Sequence, residues 1–275
     1  LRLCNQVLMH ILFIGYGKTS CRVAKQLFEQ GHQITTISQS PKMDGYATHL
    51  IQDVHQLNLD QISPIDWVYV LLSPNESTPE AYQRVYVDSV QPISKALKQH
   101  PVQKVVVVSS TRVYGENHGE RIDDNSENIP TDEQGRRLLK MEQLWQQAYP
   151  SASIIIRPTG IYGTSVARML KLAEKTKNYP NLHWSNRIHI DDLANFLAHL
   201  LHVEHAEKSY IVSNNQPSLL HETIQWFQRQ LNLPELVLQS DEYSGKRIYA
   251  TRMAEMGFQL QHKDCFEDYL EMLGK

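Results

Sequence analysis

Along this chain, runs that are apolar at every position alternate with stretches in which apolar residues recur at every third or fourth position. His10-Ile11-Leu12-Phe13-Ile14 leaves no room for a polar face, the pattern of a strand covered on both sides. Cys21, Ala24, Leu27 and Phe28 then recur at helical spacing up to Gly31. Gly31 to Ile37 predicts a second strand, His49 to Asp53 a third, and Ile65 to Ser73 a fourth. Residues 79–99 predict a long helix with Val85, Ser89, Pro92, Ile93, Ala96 and Leu97 facing inward and a kink or break at Pro92. Lys104 to Ser110, with four consecutive valines, predicts a fifth buried strand. Strands alternating with helices in this way give an α/β fold, a doubly wound parallel (Rossmann) sheet with right-handed crossovers.

Beyond Gly163 the pattern changes. Val166 to Lys175 reads as a helix, Tyr179 to Trp184 as a loop and short strand, and 191–203 as a helix with Leu193, Phe196, Leu197, Leu200 and Leu201 inward. His221 to Leu231 and Phe266 to Leu273 supply further helices around Trp226, Phe227 and Leu231. The expected division is a sheet domain over 9–163, to which 186–203 returns, and a small C-terminal α/β substrate lobe made of 164–185 and 204–275. Residues 1–8 are an apolar stretch broken by Asn5 and Gln6, too short for the apolar region of a signal peptide. They are expected to be an upstream or non-native extension, with the natural start at Met9.

Composition narrows the partners. The 275 residues hold 27 Lys+Arg and 30 Asp+Glu, a net charge of -3, without the basic footprint that nucleic acid requires. No apolar run reaches the roughly 18 residues of a membrane span. Cys4, Cys21 and Cys265 are far apart and show neither disulfide nor zinc spacing, so a reducing, cytoplasmic setting is expected. His199, His202 and His205 share a helical spacing but no acidic ligand at a matching site. His189, Asp191 and Asp192, ahead of an apolar helical run, read as caps and first-turn charges, so no metal site is expected.

The candidate chemistry begins at Gly15-Tyr16-Gly17-Lys18-Thr19, directly after the first strand. Gly15 permits a sharp turn, Gly17 lets a pyrophosphate approach the backbone, and the following helix N-terminus offers free N–H groups and a partial positive charge. Ser20 stands where the third glycine of the dinucleotide fingerprint would serve helix–strand packing. At the end of the second strand, Ser38 occupies the position of the acidic residue that binds the 2′-OH of NAD. Ser38, Gln39, Ser40 and Lys42 offer hydroxyls and a cation instead. NADP is therefore the expected cofactor, with NAD the alternative. Asp53, Leu72 and Ser73 belong to the same rim of strand carboxyl ends, where ligands of such sheets gather.

Later segments carry a resemblance. Ser109-Ser110-Thr111-Arg112-Val113-Tyr114-Gly115 resembles the SSxxVYG signature of extended short-chain dehydrogenases/reductases, the NAD(P)-dependent epimerase/dehydratase family. Arg157-Pro158-Thr159-Gly160-Ile161-Tyr162-Gly163 resembles that family's RPxxIYGP loop, His189-Ile190-Asp191-Asp192 its HVDD helix start, and Tyr210-Ile211-Val212 its YNV strand. Lys246-Arg247 with Met256-Gly257-Phe258 resembles its C-terminal segment. The resemblance implies Ser110 and Tyr114 as catalytic candidates, and Ser109, Arg157, Pro158 and Thr159 against the cofactor. It also implies a homodimer through the helices at 79–99 and 134–148.

The family's chemistry depends on a Tyr four residues before a Lys. Here Gln134 and Leu138 occupy those places, and no Tyr in the chain is followed four residues later by Lys. Dinucleotide binding survives that loss, whereas ordinary hydride-transfer chemistry lacks its acid. The pattern is similar to that of the atypical extended members. It implies an NAD(P)-binding oxidoreductase or epimerase acting on a small sugar-like or carbonyl substrate through a non-standard acid–base group. The alternative is a non-catalytic NAD(P)-dependent sensor. The short segment after Gly163 makes a full nucleotide-diphosphate sugar look cramped.

Overall fold

A computed structural model describes residues 7–275. Cys4 and most of the N-terminal extension lie outside the described residues. The chain runs β1 (His10–Ile14), α1 (Lys18–Glu29), β2 (Gln33–Ser38), β3 (Thr48–Ile51), β4 (Trp67–Val70), α2 (Pro79–Tyr82), α3 (Val90–Leu97), β5 (Lys104–Val108), β6 (Glu120–Ile122) and α4 (Glu133–Ala148). It continues through β7 (Ser153–Pro158), β8 (Gly160–Tyr162), α5 (Ala167–Lys175), β9 (Asn178–Tyr179), β10 (Leu182–Ser185), β11 (Arg187–His189) and α6 (Ile190–His199). The last elements are β12 (Ser209–Val212), β13 (Ser218–Leu219), α7 (Leu220–Gln230), β14 (Val237–Leu238), β15 (Tyr243–Ile248), α8 (Thr251–Glu255) and α9 (Cys265–Met272).

The central sheet has seven strands in the order β12-β7-β5-β4-β1-β2-β3. The pairings from β3 through β2, β1, β4 and β5 to β7 are all parallel, with Phe13 level with Thr36 on one side and Tyr69 on the other. This is the doubly wound α/β sheet the alternation of apolar runs predicts. Every residue of β1 is buried, and its one polar side chain is satisfied: His10 Nε2 lies 2.8 Å from Thr35 Oγ1. Tyr69 stacks on Phe13 at 5.0 Å and donates its O–H to the carbonyl of Leu197 at 2.7 Å, so a buried phenol leaves no orphaned hydroxyl.

The helix predicted over 79–99 is interrupted, but earlier than Pro92. A π-helical turn spans Gln83–Val87, and Ser89 Oγ donates to the carbonyl of Val85 at 2.6 Å. A hydroxyl back-bonding to the preceding turn is a sufficient cause of the distortion. Pro92 sits in the first turn of α3, where no helical partner is needed for the N–H that proline lacks. In α4, the Asp132 carboxylate accepts from Gly135 N–H at 2.7 Å, a cap that offsets the glycine in the first turn.

The chain divides into two compact units. One comprises residues through Ser110, Asp132–Ile156 and Ala194–Ser209; the other comprises Thr111–Thr131, Arg157–Leu193 and Tyr210–Lys275. The second unit contains a four-stranded sheet in the order β13-β10-β15-β6, and a core of Val166, Ala173, Phe227, Cys265 and Tyr269 against which Trp226 and Leu231 pack.

Candidate functional site

The first unit carries a cavity of about 620 Å³ at the carboxyl ends of β1, β2 and β4. Gly15 and Gly17 form its floor, Ser38, Gln39, Ser40 and Lys42 one wall, Asp53 and His55 another, and Leu71 to Ser73 with Arg84 the remainder. Gly15 has φ +90, and a Cβ there would collide with the Leu71 carbonyl. The N-cap of α1 is Gly17, which lines the cavity and gives the first-turn N–H groups no side-chain cap. A Cβ at Gly17 would meet nothing within 4 Å. That glycine leaves open space directly at a helix N-terminus, the geometry that receives a phosphate. Ser20 is buried in α1, as a packing role at the third-glycine position demands, but its hydroxyl finds no hydrogen-bond partner among the described residues.

Two charges in this cavity are held in place. Asp53 Oδ1 accepts from His55 N–H at 2.9 Å and from His55 Nδ1 at 2.8 Å, which holds the carboxyl below its ordinary range. His55 Nε2 lies 2.8 Å from the Arg84 carbonyl oxygen, and these bonds outweigh burial and raise the imidazole pKa. The side-chain nitrogens of Lys42 and Arg84 have no protein partner among the described residues.

Of the residues singled out from sequence for a cofactor, Gly15, Gly17, Ser38, Gln39, Ser40, Lys42, Asp53, Leu72 and Ser73 line this one cavity. Lys18 and Thr19 lie in the first turn of α1 and not in its lining. Ser109 is buried and donates to Glu142 Oε1 at 2.6 Å, while Ser110 beside it is half-buried. In the second unit Arg157 is buried with Tyr114, its Nη1 donating to the phenol oxygen at 2.9 Å. Pro158 ends β7, and Thr159 Oγ1 donates to Ser213 Oγ at 3.2 Å. Tyr16, His55 and Arg84 are lining residues that sequence reasoning did not single out. The first had a signal in lying between the two glycines; the last, an exposed cation after α2, had none.

At the positions of the family dyad, Gln134 donates to the Ser77 carbonyl at 2.8 Å and Leu138 is buried. Neither can exchange a proton with a substrate at neutral pH.

His189, His262 and Asp268 form the one cluster of metal-donor side chains among the described residues. The two rings are parallel within 8° at 3.5 Å. Imidazole lone pairs lie in the ring planes, so an ion about 2.1 Å from both nitrogens cannot lie in both planes. His189 Nδ1 already accepts from Asp191 N–H at 3.1 Å, and His262 Nδ1 lies 2.6 Å from Asp268 Oδ1. The cluster as it stands is a structural clamp. His189 caps α6, and Asp192 accepts from the backbone N–H groups of Gln261 and His262. Asp192 thus has a structural role, Asp191 lies in the first turn, and the cap itself comes from the histidine.

Fold and cavity together define a Rossmann-type α/β protein with an open cleft at the carboxyl ends of its parallel strands. The family model described as "RmlD substrate binding domain" matches residues 9–262, and the chain belongs to that family. It is 30% identical to a protein from Methylobacillus flagellatus provisionally assigned as an NAD-dependent epimerase/dehydratase, with a TM-score of 0.80 and 98% of each chain covered. The Escherichia coli K12 protein YeeZ is 24% identical over 269 residues, 92% of this chain and 96% of that one. The human epimerase family protein SDR39U1, solved with NADPH, has the same fold at 18% identity, with a TM-score of 0.77 over 96% of this chain and 99% of that one. The resemblance to extended short-chain dehydrogenases and the NAD(P)-binding epimerase/dehydratase fold are thereby established. No helix among the described residues is long and apolar enough to cross a membrane.

Proposed function

We propose that this chain binds NADP and acts as an oxidoreductase or epimerase on a small sugar-like or carbonyl compound. The observation that carries the reading is the cavity itself: an uncapped helix N-terminus at an unobstructed glycine, next to a wall of Ser38, Ser40 and Lys42 that presents no carboxylate at the end of β2. Asp53, the one acid lining the cavity, is engaged by His55, and Lys42 and Arg84 supply cationic donors for a phosphate. NADP, when bound, supplies a hydride acceptor or donor at its nicotinamide ring. The protein then has to bind the dinucleotide, exclude water and move one proton at the substrate oxygen.

With Gln134 and Leu138 at the dyad positions, that proton task falls to another group. Ser110, half-buried at the end of β5, is the assignment we favour, with Tyr114 the second candidate. Ser109 is committed to Glu142 and serves to fix this strand end. The test couples binding to turnover. Purified protein is titrated with NADPH and NADH by fluorescence, then incubated with a panel of aldehydes, ketones and free or nucleotide-linked sugars while reduced cofactor is followed by absorbance. Tighter NADPH binding with turnover of at least one carbonyl, abolished by Ser110→Ala, is the expected result. Tighter NADH binding overturns the cofactor assignment, and turnover intact in Ser110→Ala overturns the catalytic one.

A further inference from the structure

The loop between β2 and β3 is fastened to the glycine turn through the residue between the two glycines. Tyr16 is buried, and its O–H donates to Asp44 Oδ2 at 2.7 Å. The Tyr16 oxygen lies 2.6 Å from the Tyr46 hydroxyl, which also reaches the Cys21 carbonyl at 3.3 Å. Since the Tyr16 proton is committed to Asp44, the single Tyr46 proton serves the shared 2.6 Å bond and, as a longer branch at 3.3 Å, the Cys21 carbonyl. His49 braces the loop from the sheet side. Its Nε2 donates to the Asp44 carbonyl at 2.9 Å, so its Nδ1 accepts from Thr36 Oγ1 at 2.6 Å. The Tyr16 ring leans on His49 at 5.1 Å, and Tyr46 packs on Phe28 at 5.4 Å. Burial and these hydrogen bonds push the Tyr16 phenol pKa up, which keeps it a donor.

Asp44 is the sole acidic residue between Ser38 and Ala47. Ser38, Gln39, Ser40 and Lys42 of this loop line the cavity, and Asp44 does not. Its carboxylate is instead held by Tyr16. An acid facing this wall would favour a 2′-OH and repel a 2′-phosphate, because like charges at close range in a partly desolvated cleft oppose one another. We propose that Tyr16 is a positioning residue for cofactor choice: it holds the Asp44 carboxylate out of the Ser38–Lys42 wall and leaves that wall to the 2′-phosphate of NADP. This inference rests on the NADP reading and adds the device that enforces it.

The test separates sequestration of a charge from mere support of a loop. NADPH and NADH affinities are measured by fluorescence titration for the wild type, for Tyr16→Phe/Tyr46→Phe, for the same pair combined with Asp44→Asn, and for Asp44→Asn alone. Circular dichroism and thermal melting report folding. Removing both hydroxyls is expected to weaken NADPH about tenfold while NADH changes by less than about twofold. Adding Asp44→Asn restores NADPH affinity to within about threefold of wild type, and Asp44→Asn alone keeps the NADPH preference. If the clasp only props up the loop, the triple variant binds NADPH no better than the double one, and the proposal falls. It falls likewise if Asp44→Asn alone loses the preference, an arm that holds even where the double variant fails to fold. A wild type that does not prefer NADPH overturns the NADP reading and this inference with it. A wild type that prefers NADPH beside a double variant that still does so overturns the inference alone.

Discussion

Gly17→Ala should separate binding from folding. At Gly17 the backbone has φ -97 and ψ -162, a conformation alanine adopts without strain, and the added methyl meets nothing within 4 Å. Folding stability should therefore hold or rise by about 0.4–1 kcal/mol through the reduced entropy of the unfolded chain. For a chain of this size that is a melting shift of about +2 °C. The methyl group would occupy the approach of a phosphate to the first turn of α1 and displace one or two charge-assisted hydrogen bonds, worth about 1.5–3 kcal/mol each. Dissociation constants for NADPH should then rise by about 10-fold for one weak bond to about 10,000-fold for two strong ones, at about 1.4 kcal/mol per factor of ten. Gly15→Ala is the counterpart. It incurs about 1–2 kcal/mol for a left-handed backbone, and its methyl collides with the Leu71 carbonyl. That carbonyl is fixed, because Leu71 N–H donates to Ile14 O at 2.9 Å and Gly15 N–H to Ile37 O at 3.0 Å. Differential scanning fluorimetry with and without NADPH reads both variants. Cofactor at 100 times its dissociation constant stabilises the wild type by about 2.7 kcal/mol. Gly17→Ala should melt at or above the wild-type temperature without cofactor and lose most of the cofactor-induced shift, whereas Gly15→Ala should melt several degrees lower in both conditions. A full cofactor-induced shift in Gly17→Ala would refute the assignment of this turn to phosphate.

Two further outcomes follow from buried polar groups. Ser20→Ala removes a buried hydroxyl that finds no partner and should stabilise the fold by about 1 kcal/mol, seen as a higher urea midpoint at unchanged slope; a lower midpoint would show that the hydroxyl is satisfied in solution. His32, His183 and His189 all have pKa values below the ordinary histidine range, with burial the first cause, reinforced by the neighbouring charge of His202, Lys246 and His262 respectively. Such groups bind fewer protons folded than unfolded, so stability should fall as pH drops below about 6.5, by at most about 1.4 kcal/mol per pH unit for each group. Urea midpoints at neutral pH and about one unit below that value read the effect, and His189→Gln should flatten part of the slope.

The strands were legible because burial on both faces leaves a continuous apolar run; β1, β4 and β5 fall within the runs that predict them, and β2 runs one residue past its own, to Ser38. The glycine turn was legible because a strand, a tight turn and a helix impose fixed residue types in sequence. What escaped depends on partners far apart along the chain. Arg84 reaches the cavity only because β4 and the distorted helix after it lie beside the glycine turn, and nothing in its neighbours marks an exposed arginine as different from any other. The Tyr16–Asp44 bond joins positions 28 residues apart with no periodicity to announce it. Pro92 misled in the opposite direction: a residue known to break helices sat harmlessly in a first turn, while an ordinary serine, Ser89, bonded to the preceding turn where the helix is distorted. Even the glycines carried less information than their spacing suggests. Gly15 and Gly17 are equivalent letters in the motif, yet one is demanded by the Leu71 carbonyl and the other by nothing among the described residues. A glycine that the fold does not require, at a helix N-terminus that no side chain caps, is evidence for a ligand of a kind that the motif alone cannot supply.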